Sequence, residues 1–329
     1  MTSFVRTVLG DVPAGEVGRT NYHEHLFQVT PLLPGDELDD EQCSRDEAGL
    51  LRDSGFEALV DATPTGLGRN PAALARISAS QNLHVVAATG AHRVAHYGSA
   101  HWLRDLSEEQ LGARFSADLF EGMPVSDGPE RRAIALAPGG QPVRAGILKA
   151  GIGYWSISTF ERRVLAGVAE AHARTGAPVM VHLEHGSAAL ELLDLLASCG
   201  VKAESVVLAH IDRNPDPVLH AELAAAGAYL GYDGFARTRT GPDTTLIECL
   251  LRTAALGGED RLLLGGDVAR RTRYVAYGGM PGLAYLGHRV VPRLIRAGQA
   301  GLVHKVLVDN PARLLGSGGL VPEVGKGQR

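Results

Sequence analysis

The feature that most constrains the fold is a regular alternation of short apolar runs and longer helix-like segments. The first run leads into His23, and seven more follow, at 56–64, 84–90, 143–151, 177–185, 205–212, 228–235 and 261–268. These runs are almost continuously apolar, which is typical of parallel strands covered by helices on both faces. Eight strand–helix units predict an α/β protein with a closed (β/α)8 TIM barrel in a single domain.

An open, doubly wound sheet is the alternative. Such sheets usually contain fewer strands, and many carry a glycine-rich phosphate loop. The stretch GIGYWS has two of the three glycines that this loop needs and is a weak match. We therefore favour a barrel over residues 1–316, with a Gly- and Pro-rich insertion at 121–143 and a flexible tail at 317–329.

Composition narrows the class of function. A net charge of −5 argues against a nucleic-acid-binding protein, which would present a basic surface. The three cysteines are widely spaced and include no CxxC pair, so a disulfide framework and a cysteine zinc site are not expected. There is no long apolar run and no signal-peptide pattern, so we expect a cytoplasmic protein without a membrane partner.

Metal-binding residue types occur where the predicted strands end. In barrels of this kind the chemistry lies at the carboxyl ends of the strands. Strands one, four, five, six and eight end in His23 and His25, Lys149, His182, His210 and Asp267, respectively. Residues i and i+2 of a strand face the same side, so His23 and His25 should face the barrel axis while Glu24 turns away. This pattern predicts a metal site at the barrel mouth; the alternative is that one histidine is an ordinary core residue.

Lys149 lies within the apolar stretch GILKAGI, which should be buried. A buried ammonium costs several kcal/mol unless it is paired or neutralised. A neutral amine beside a metal could instead react with CO2 and give a carbamate, whose oxygens can bridge two ions. The alternatives are a lysine that reaches solvent at the rim or one that pairs with an acid.

These residues together resemble the phosphotriesterase family of the amidohydrolase superfamily. The matching stretches are HEHLF, GILKAG, PVMVHLEHG, VVLAHIDRNPD, LLLGGDV and VLVDNPARLL, in that order over nearly the whole chain. The resemblance implies a binuclear centre, with carboxylated Lys149 and a hydroxide bridging the two ions. The more buried ion would be held by His23, His25 and Asp267, and the more exposed one by His182 and His210. Asp267 would also accept the proton of the attacking hydroxide, and the ions would be zinc, manganese, cobalt or iron, with zinc favoured.

Five arginines in two loops, Arg237, Arg239, Arg270, Arg271 and Arg273, contrast with the acidic net charge. Arginine binds phosphate and carboxylate groups in a two-pronged fashion, so the cluster indicates an anion site; a solvated basic rim is the alternative. The stretches GAHRVAHYGSAHWL, YDGFARTRTGPD and YGGMPGLAYL resemble the family branch that hydrolyses phosphorylated sugar lactones. That resemblance implies phosphate contacts from Arg239, Arg271 and Tyr274. Arg270, from the cluster, and His92, beside Arg93 after strand three, are further candidates for substrate binding.

The sequence therefore predicts a metal-dependent lactonase that acts on a small anionic sugar lactone. An acyl-homoserine lactonase, a promiscuous phosphotriesterase and an amidase for anionic N-acyl compounds remain open alternatives. A metal-bearing protein that binds a ligand without turnover is the alternative from another class. The family resemblance also implies a homodimer.

Overall fold

Ten strands lie within the parts of the chain that the computed structural model describes, residues 3–237 and 241–316. The first two, β1 (Phe4–Thr7) and β2 (Gly10–Pro13), pair as an antiparallel hairpin. The other eight are β3 (Thr20–Glu24), β4 (Ala58–Asp61), β5 (His84–Gly90), β6 (Ile147–Ile152), β7 (Val179–Leu183), β8 (Val206–Ala209), β9 (Tyr229–Tyr232) and β10 (Leu262–Leu264). Each predicted apolar run overlaps one of these eight strands. The predictions for Arg239 and for the tail at 317–329 lie outside the described residues.

The eight strands form one parallel sheet in chain order, from β3 beside β4 to β9 beside β10. The sheet nearly closes on itself, because the backbone N–H of Asp267, just after β10, donates to the carbonyl of His23 in β3 at 2.9 Å. An open, doubly wound sheet would change direction at a switch point, and this strand order has none. The predicted barrel is confirmed.

Helices cover the outside of the sheet. They are α1 (Glu41–Asp53), α2 (Pro71–Gln81), α3 (Glu108–Phe120), α4 (Thr159–Thr175), α5 (Ala189–Ser198), α6 (Pro217–Ala225), α7 (Asp243–Thr253), α8 (Val291–Arg296), α9 (Ala300–His304) and α10 (Asn310–Leu315). Helix α2 begins as its sequence predicts: the Asn70 side chain accepts from the N–H of Ala73 at 3.1 Å, and Pro71 occupies the first turn. The insertion at 121–143 lies between α3 and β6 and is largely irregular. It contains an isolated antiparallel β-bridge between Pro124 and Ile134.

Apolar residues form two cores that leave the carboxyl ends of the strands for polar groups. The larger core fills the space between sheet and helices. The smaller lies inside the barrel and includes Tyr22, Val86, Met180, Val207 and Leu263. Within the described ranges, no helix is both long enough and apolar enough to cross a membrane.

Two glycines allow the close approaches that shape the barrel mouth. Gly90 has φ +110°, and a Cβ there would lie 1.9 Å from the carbonyl oxygen of Lys149. A Cβ at Gly231 would lie 1.9 Å from the hydroxyl of Tyr22. A side chain at either position would therefore displace the backbone that carries Lys149 or the tyrosine beneath the site.

Candidate metal centre and active site

The predicted strand-end residues converge in the barrel mouth. The Nε2 atoms of His25 and His23 lie 3.4 and 3.8 Å from Asp267 Oδ1. His210 Nδ1 lies 3.7 Å from Asp267 Oδ2. All four residues are buried, and the ligand atoms of His23, His25 and Asp267 are close enough to hold one ion. Glu24 is turned away, as predicted, and its carboxylate accepts from Asn21 and from the N–H of Val268.

Lys149 points into the same cluster. Its Nζ lies 3.2 Å from His23 Nε2 and 3.2 Å from Met180 Sδ, and the residue is 1% exposed. Among the described residues no carboxylate forms an ion pair with it, so Lys149 neither reaches solvent nor pairs with an acid. Burial lowers the pKa of its amine to about 8, which makes a neutral, nucleophilic amine accessible near physiological pH.

Asp233, directly after β9, joins two of the histidines and was missed by the sequence analysis. Its Oδ2 lies 3.0 Å from His23 Nδ1 and its Oδ1 lies 2.6 Å from His210 Nδ1, and the Tyr22 hydroxyl also donates to it. A carboxylate on Nδ1 fixes the tautomer and the plane of an imidazole ring that binds a metal through Nε2. The sequence did contain a signal for it: Asp233 lies in the stretch YDGF, at the end of predicted strand seven, where site residues are expected.

The protonation states suit metal binding. Burial lowers the pKa of His23 to about 3 and that of His210 to about 4, so both rings are neutral at pH 7 and keep a lone pair. Burial alone would raise the pKa of Asp267, but the guanidinium of Arg237 holds it well below its usual value. The centre thus offers neutral imidazoles and an ionised carboxylate, a donor set that suits divalent zinc, manganese, cobalt or iron.

Further hydrogen bonds hold the remaining candidate ligands. The Thr63 hydroxyl donates to the carbonyl of Phe27 at 2.6 Å and lies 2.7 Å from His25 Nδ1, so it accepts from that nitrogen. His182 Nε2 lies 2.8 Å from Glu184 Oε2, and its ring centroid is 4.5 Å from that of His210. Each ring therefore has a polar partner that sets its orientation.

The centre forms one wall of a cavity of about 360 Å³. Four arginines also line this cavity: Arg93, Arg213, Arg237 and Arg270. Their charges outnumber those of the two carboxylates in the lining, Glu184 and Asp267. Arg213 was missed by the sequence analysis, although it follows His210 by three residues in HIDRN. The pocket is therefore suited to an anionic ligand.

The structure divides the predicted substrate-binding residues. It brings Arg270 and His92 to the cavity. Arg271 does not line it; its guanidinium is half-exposed, lies 4.0 Å from Asp39 and packs over the ring of Tyr277. Tyr274 is fully buried, and its hydroxyl donates to the carbonyl of His25. The direction of loop side chains depends on tertiary contacts, so adjacency in sequence did not determine which of these residues faces the pocket.

Fold and site together define a class of enzyme, the (β/α)8-barrel hydrolases with a His-, Lys- and Asp-based centre at the strand ends. The chain belongs to the phosphotriesterase family, whose model matches residues 3–315. It is a hydrolase of the lactonase or phosphotriesterase-like kind. This sets aside the alternative of a ligand-binding protein without turnover.

Three similar proteins illustrate the range of the family. The phospho-furanose lactonase of Mycoplasmopsis synoviae (strain 53) is 29% identical over 329 residues, covering 95% of this chain and 91% of that protein. The N-acetyltaurine hydrolase of Danio rerio is 27% identical over 357 residues, covering 94% and 97%. The crystal structure of a lactonase from Listeria monocytogenes is 30% identical, with a TM-score of 0.82 over 95% of this chain and 99% of that one.

Proposed function

We propose that this chain is a binuclear metal-dependent lactonase that opens a phosphorylated sugar lactone. The observation that carries the proposal is the convergence of the candidate centre and four arginines in one cavity. The name of the Mycoplasmopsis relative, a phospho-furanose lactonase, supports the substrate class.

We infer that the residues at the strand ends hold two divalent ions, for which zinc is our first choice; the close approach of His23, His25 and Asp267 supports this. His23, His25 and Asp267 would hold one ion, and His182 and His210 the other. Bound there, the two ions would supply an activated water and polarise the carbonyl oxygen of the substrate. The buried Lys149 amine would attack CO2, form a nitrogen–carbon bond, release a proton and present two carbamate oxygens to the centre.

Asp267 is our candidate for the proton-transferring group. It is ionised, and its Oδ2 is held by Arg237 and, at 3.2 Å, by Arg213. A carboxylate fixed in this way can accept the proton of the attacking water and deliver it to the alkoxide that leaves when the ring opens. Arg237 keeps its pKa low, so it releases the proton readily.

The experiment uses one pair of lactones that differ only in a phosphate group. The zinc-loaded protein is given each lactone, and acid release is followed at several concentrations. We expect a value of kcat/KM at least about tenfold higher for the phosphorylated member, because a charge-assisted contact with arginine contributes about 1.5–3 kcal/mol. Equal values for the two lactones would contradict the phosphorylated substrate class.

An amidase for anionic N-acyl compounds is the second candidate. The N-acetyltaurine hydrolase relative supports it by its name, and the same arginine-lined cavity would suit a sulfonate or carboxylate. An N-acyl sulfonate assayed beside the lactone pair separates the two candidates. Acyl-homoserine lactones and organophosphates would need a mostly apolar pocket. The arginines in the cavity lining therefore make these substrates a weaker candidate.

A further inference from the structure

Asp61, the last residue of β4, is a buried carboxylate that the sequence analysis did not single out. It is 1% exposed, and it is the partner of Glu24 in the ladder between β3 and β4. The backbone ladder ends one step further on, where the N–H of Ala62 donates to the carbonyl of Glu24 at 2.8 Å. The next contacts between the two chain segments are made by side chains, and Asp61 supplies the first of them.

Each oxygen of the Asp61 carboxylate accepts from a different backbone N–H. Oδ2 accepts from Leu26 at 2.7 Å, and Oδ1 accepts from Thr63 at 3.0 Å. Both residues are buried, so each of these N–H groups needs an acceptor within the protein. The bond to Thr63, two residues further along the chain, is a local turn contact that aspartate commonly makes. One carboxylate therefore fixes the backbone of both segments at once.

These two bonds meet at His25, one of the candidate metal ligands. Leu26 directly follows His25 in the chain, and the Thr63 hydroxyl accepts from His25 Nδ1 at 2.7 Å. The same hydroxyl donates to the carbonyl of Phe27 at 2.6 Å, which fixes its direction. Asp61 therefore holds His25 in two ways: through the backbone that carries the residue, and through the side chain that orients its ring.

We propose that Asp61 is a positioning residue for His25 in the candidate metal centre. Asp61 is not itself a candidate ligand, and it acts through Leu26 and Thr63. This inference rests on the proposed function, because the orientation of His25 affects metal binding only if the centre holds metal. Groups that orient the ligands of a metal ion typically change its affinity by about 10–100-fold. The effect of Asp61 should fall on the ion that His25 holds and leave the other ion unchanged.

Asp61→Asn tests the proposal directly. Asparagine has one acceptor oxygen, so its NH2 group would face the N–H of Leu26 or of Thr63, and one of the two bonds would be lost. Zinc is titrated into the metal-free, full-length protein in competition with a chelator, and His25→Ala identifies the binding step that belongs to its ion. We expect Asp61→Asn to weaken that step about 10–100-fold and to leave the other step within about threefold of the wild type.

Asp212→Asn is the matched control for the loss of a buried charge. Asp212 is buried like Asp61, and its Oδ2 accepts from the N–H groups of Asp233 and Gly234 at 2.9 and 2.8 Å. Its Oδ1 has no hydrogen-bond partner in the described parts of the chain. An asparagine whose carbonyl takes the place of Oδ2 keeps both bonds, so both zinc-binding steps should stay within about threefold of the wild type. A loss as large as that of Asp61→Asn would mean that charge, not acceptor position, sets the affinity, and would overturn the proposal.

Thr63→Val and Thr63→Ser keep the test open if Asp61→Asn does not fold, which urea unfolding of the metal-free protein shows. Valine removes the hydroxyl that accepts from His25, whereas serine keeps it. The step assigned to His25 should weaken about tenfold or more in the valine variant and recover most of its affinity in the serine variant. If zinc binds Asp61→Asn or Thr63→Val as tightly as the wild type, Asp61 does not position His25, although the proposed lactonase stands. A wild type that binds no zinc refutes the proposed metal centre itself, and with it this inference.

Discussion

Replacement of Asp233 by asparagine is the sharpest test of the candidate centre. The carboxylate gives one oxygen to His23 Nδ1 at 3.0 Å and the other to His210 Nδ1 at 2.6 Å. Asparagine keeps the shape of the side chain but has only one acceptor oxygen. One of the two imidazoles would then face an NH2 group and lose the partner that fixes its tautomer.

The magnitude follows from that geometry. Removal of the partner of a metal-binding histidine typically weakens metal affinity by about 10–100-fold, equivalent to about 1.4–2.7 kcal/mol. Since the two histidines belong to different predicted ions, we expect at least one ion to bind more weakly by this factor. The metal-free protein should also lose about 1–3 kcal/mol of unfolding free energy, because a buried donor is left without an acceptor.

The assay is a titration of the metal-free protein with zinc in competition with a chelator, and urea unfolding of the same samples. Asp194→Asn, at an exposed position on α5, is the control for loss of a carboxylate. If both ions bind Asp233→Asn as tightly as the wild type, within about twofold, then Asp233 does not orient the ligands. The placement of His23 and His210 in the centre would then be wrong.

Three further predictions concern single residues. Lys149→Ala should abolish lactone hydrolysis, and a short carboxylic acid added to the assay should restore part of it; failure of restoration across several acids would argue against a bridging carbamate. Burial lowers the pKa of His220 to about 4 in the folded protein, against about 6.5 in the unfolded chain. As the pH falls below about 6.5, His220 is protonated in the unfolded chain but stays neutral in the folded protein. The folded protein should therefore lose about 2 kcal/mol of stability by pH 5. His220→Gln should therefore show a smaller loss in urea midpoint between pH 7.5 and 5 than the wild type, and equal losses would contradict this assignment. Arg69→Met should lower the unfolding free energy by about 3–5 kcal/mol in the same urea assay. It removes the guanidinium that pairs with the partly buried Asp127, and it leaves the buried Asp118 with only Arg131, at 3.3 Å, as an ion-pair partner among the described residues. A loss below about 1 kcal/mol would refute that reasoning.

The barrel could be predicted because its signal is repeated and local. Each apolar run needed only enough β-branched and aliphatic residues to form a covered strand. Several helices also carried their own start signal, such as Asn70 before Pro71. The N-terminal hairpin β1–β2 was not predicted, because four-residue strands give too little periodicity.

The candidate centre could be predicted as far as strand ends determine it. His23 lies near the end of β3, Lys149 lies within β6 and Asp267 lies just after β10, where the parallel sheet itself directs side chains to the barrel axis. Residues further along the loops behave differently. Arg213 turns into the cavity and Tyr274 turns beneath His25, and both directions depend on contacts with parts of the chain far away in sequence.

The position of Glu184 links the two halves of the site. One of its oxygens accepts from His182 Nε2 at 2.8 Å, and the same oxygen lies 3.1 Å from the guanidinium of Arg93. An anion that bound Arg93 would compete with Glu184 for that guanidinium. A movement of Glu184 would change its hydrogen bond with His182 and so the orientation of that ring. The ion pair of Arg93 and the orientation of a candidate metal ligand thus depend on one carboxylate. An arginine so close to the candidate metal centre need not weaken it, because its charge is balanced by the carboxylate that orients the candidate ligand.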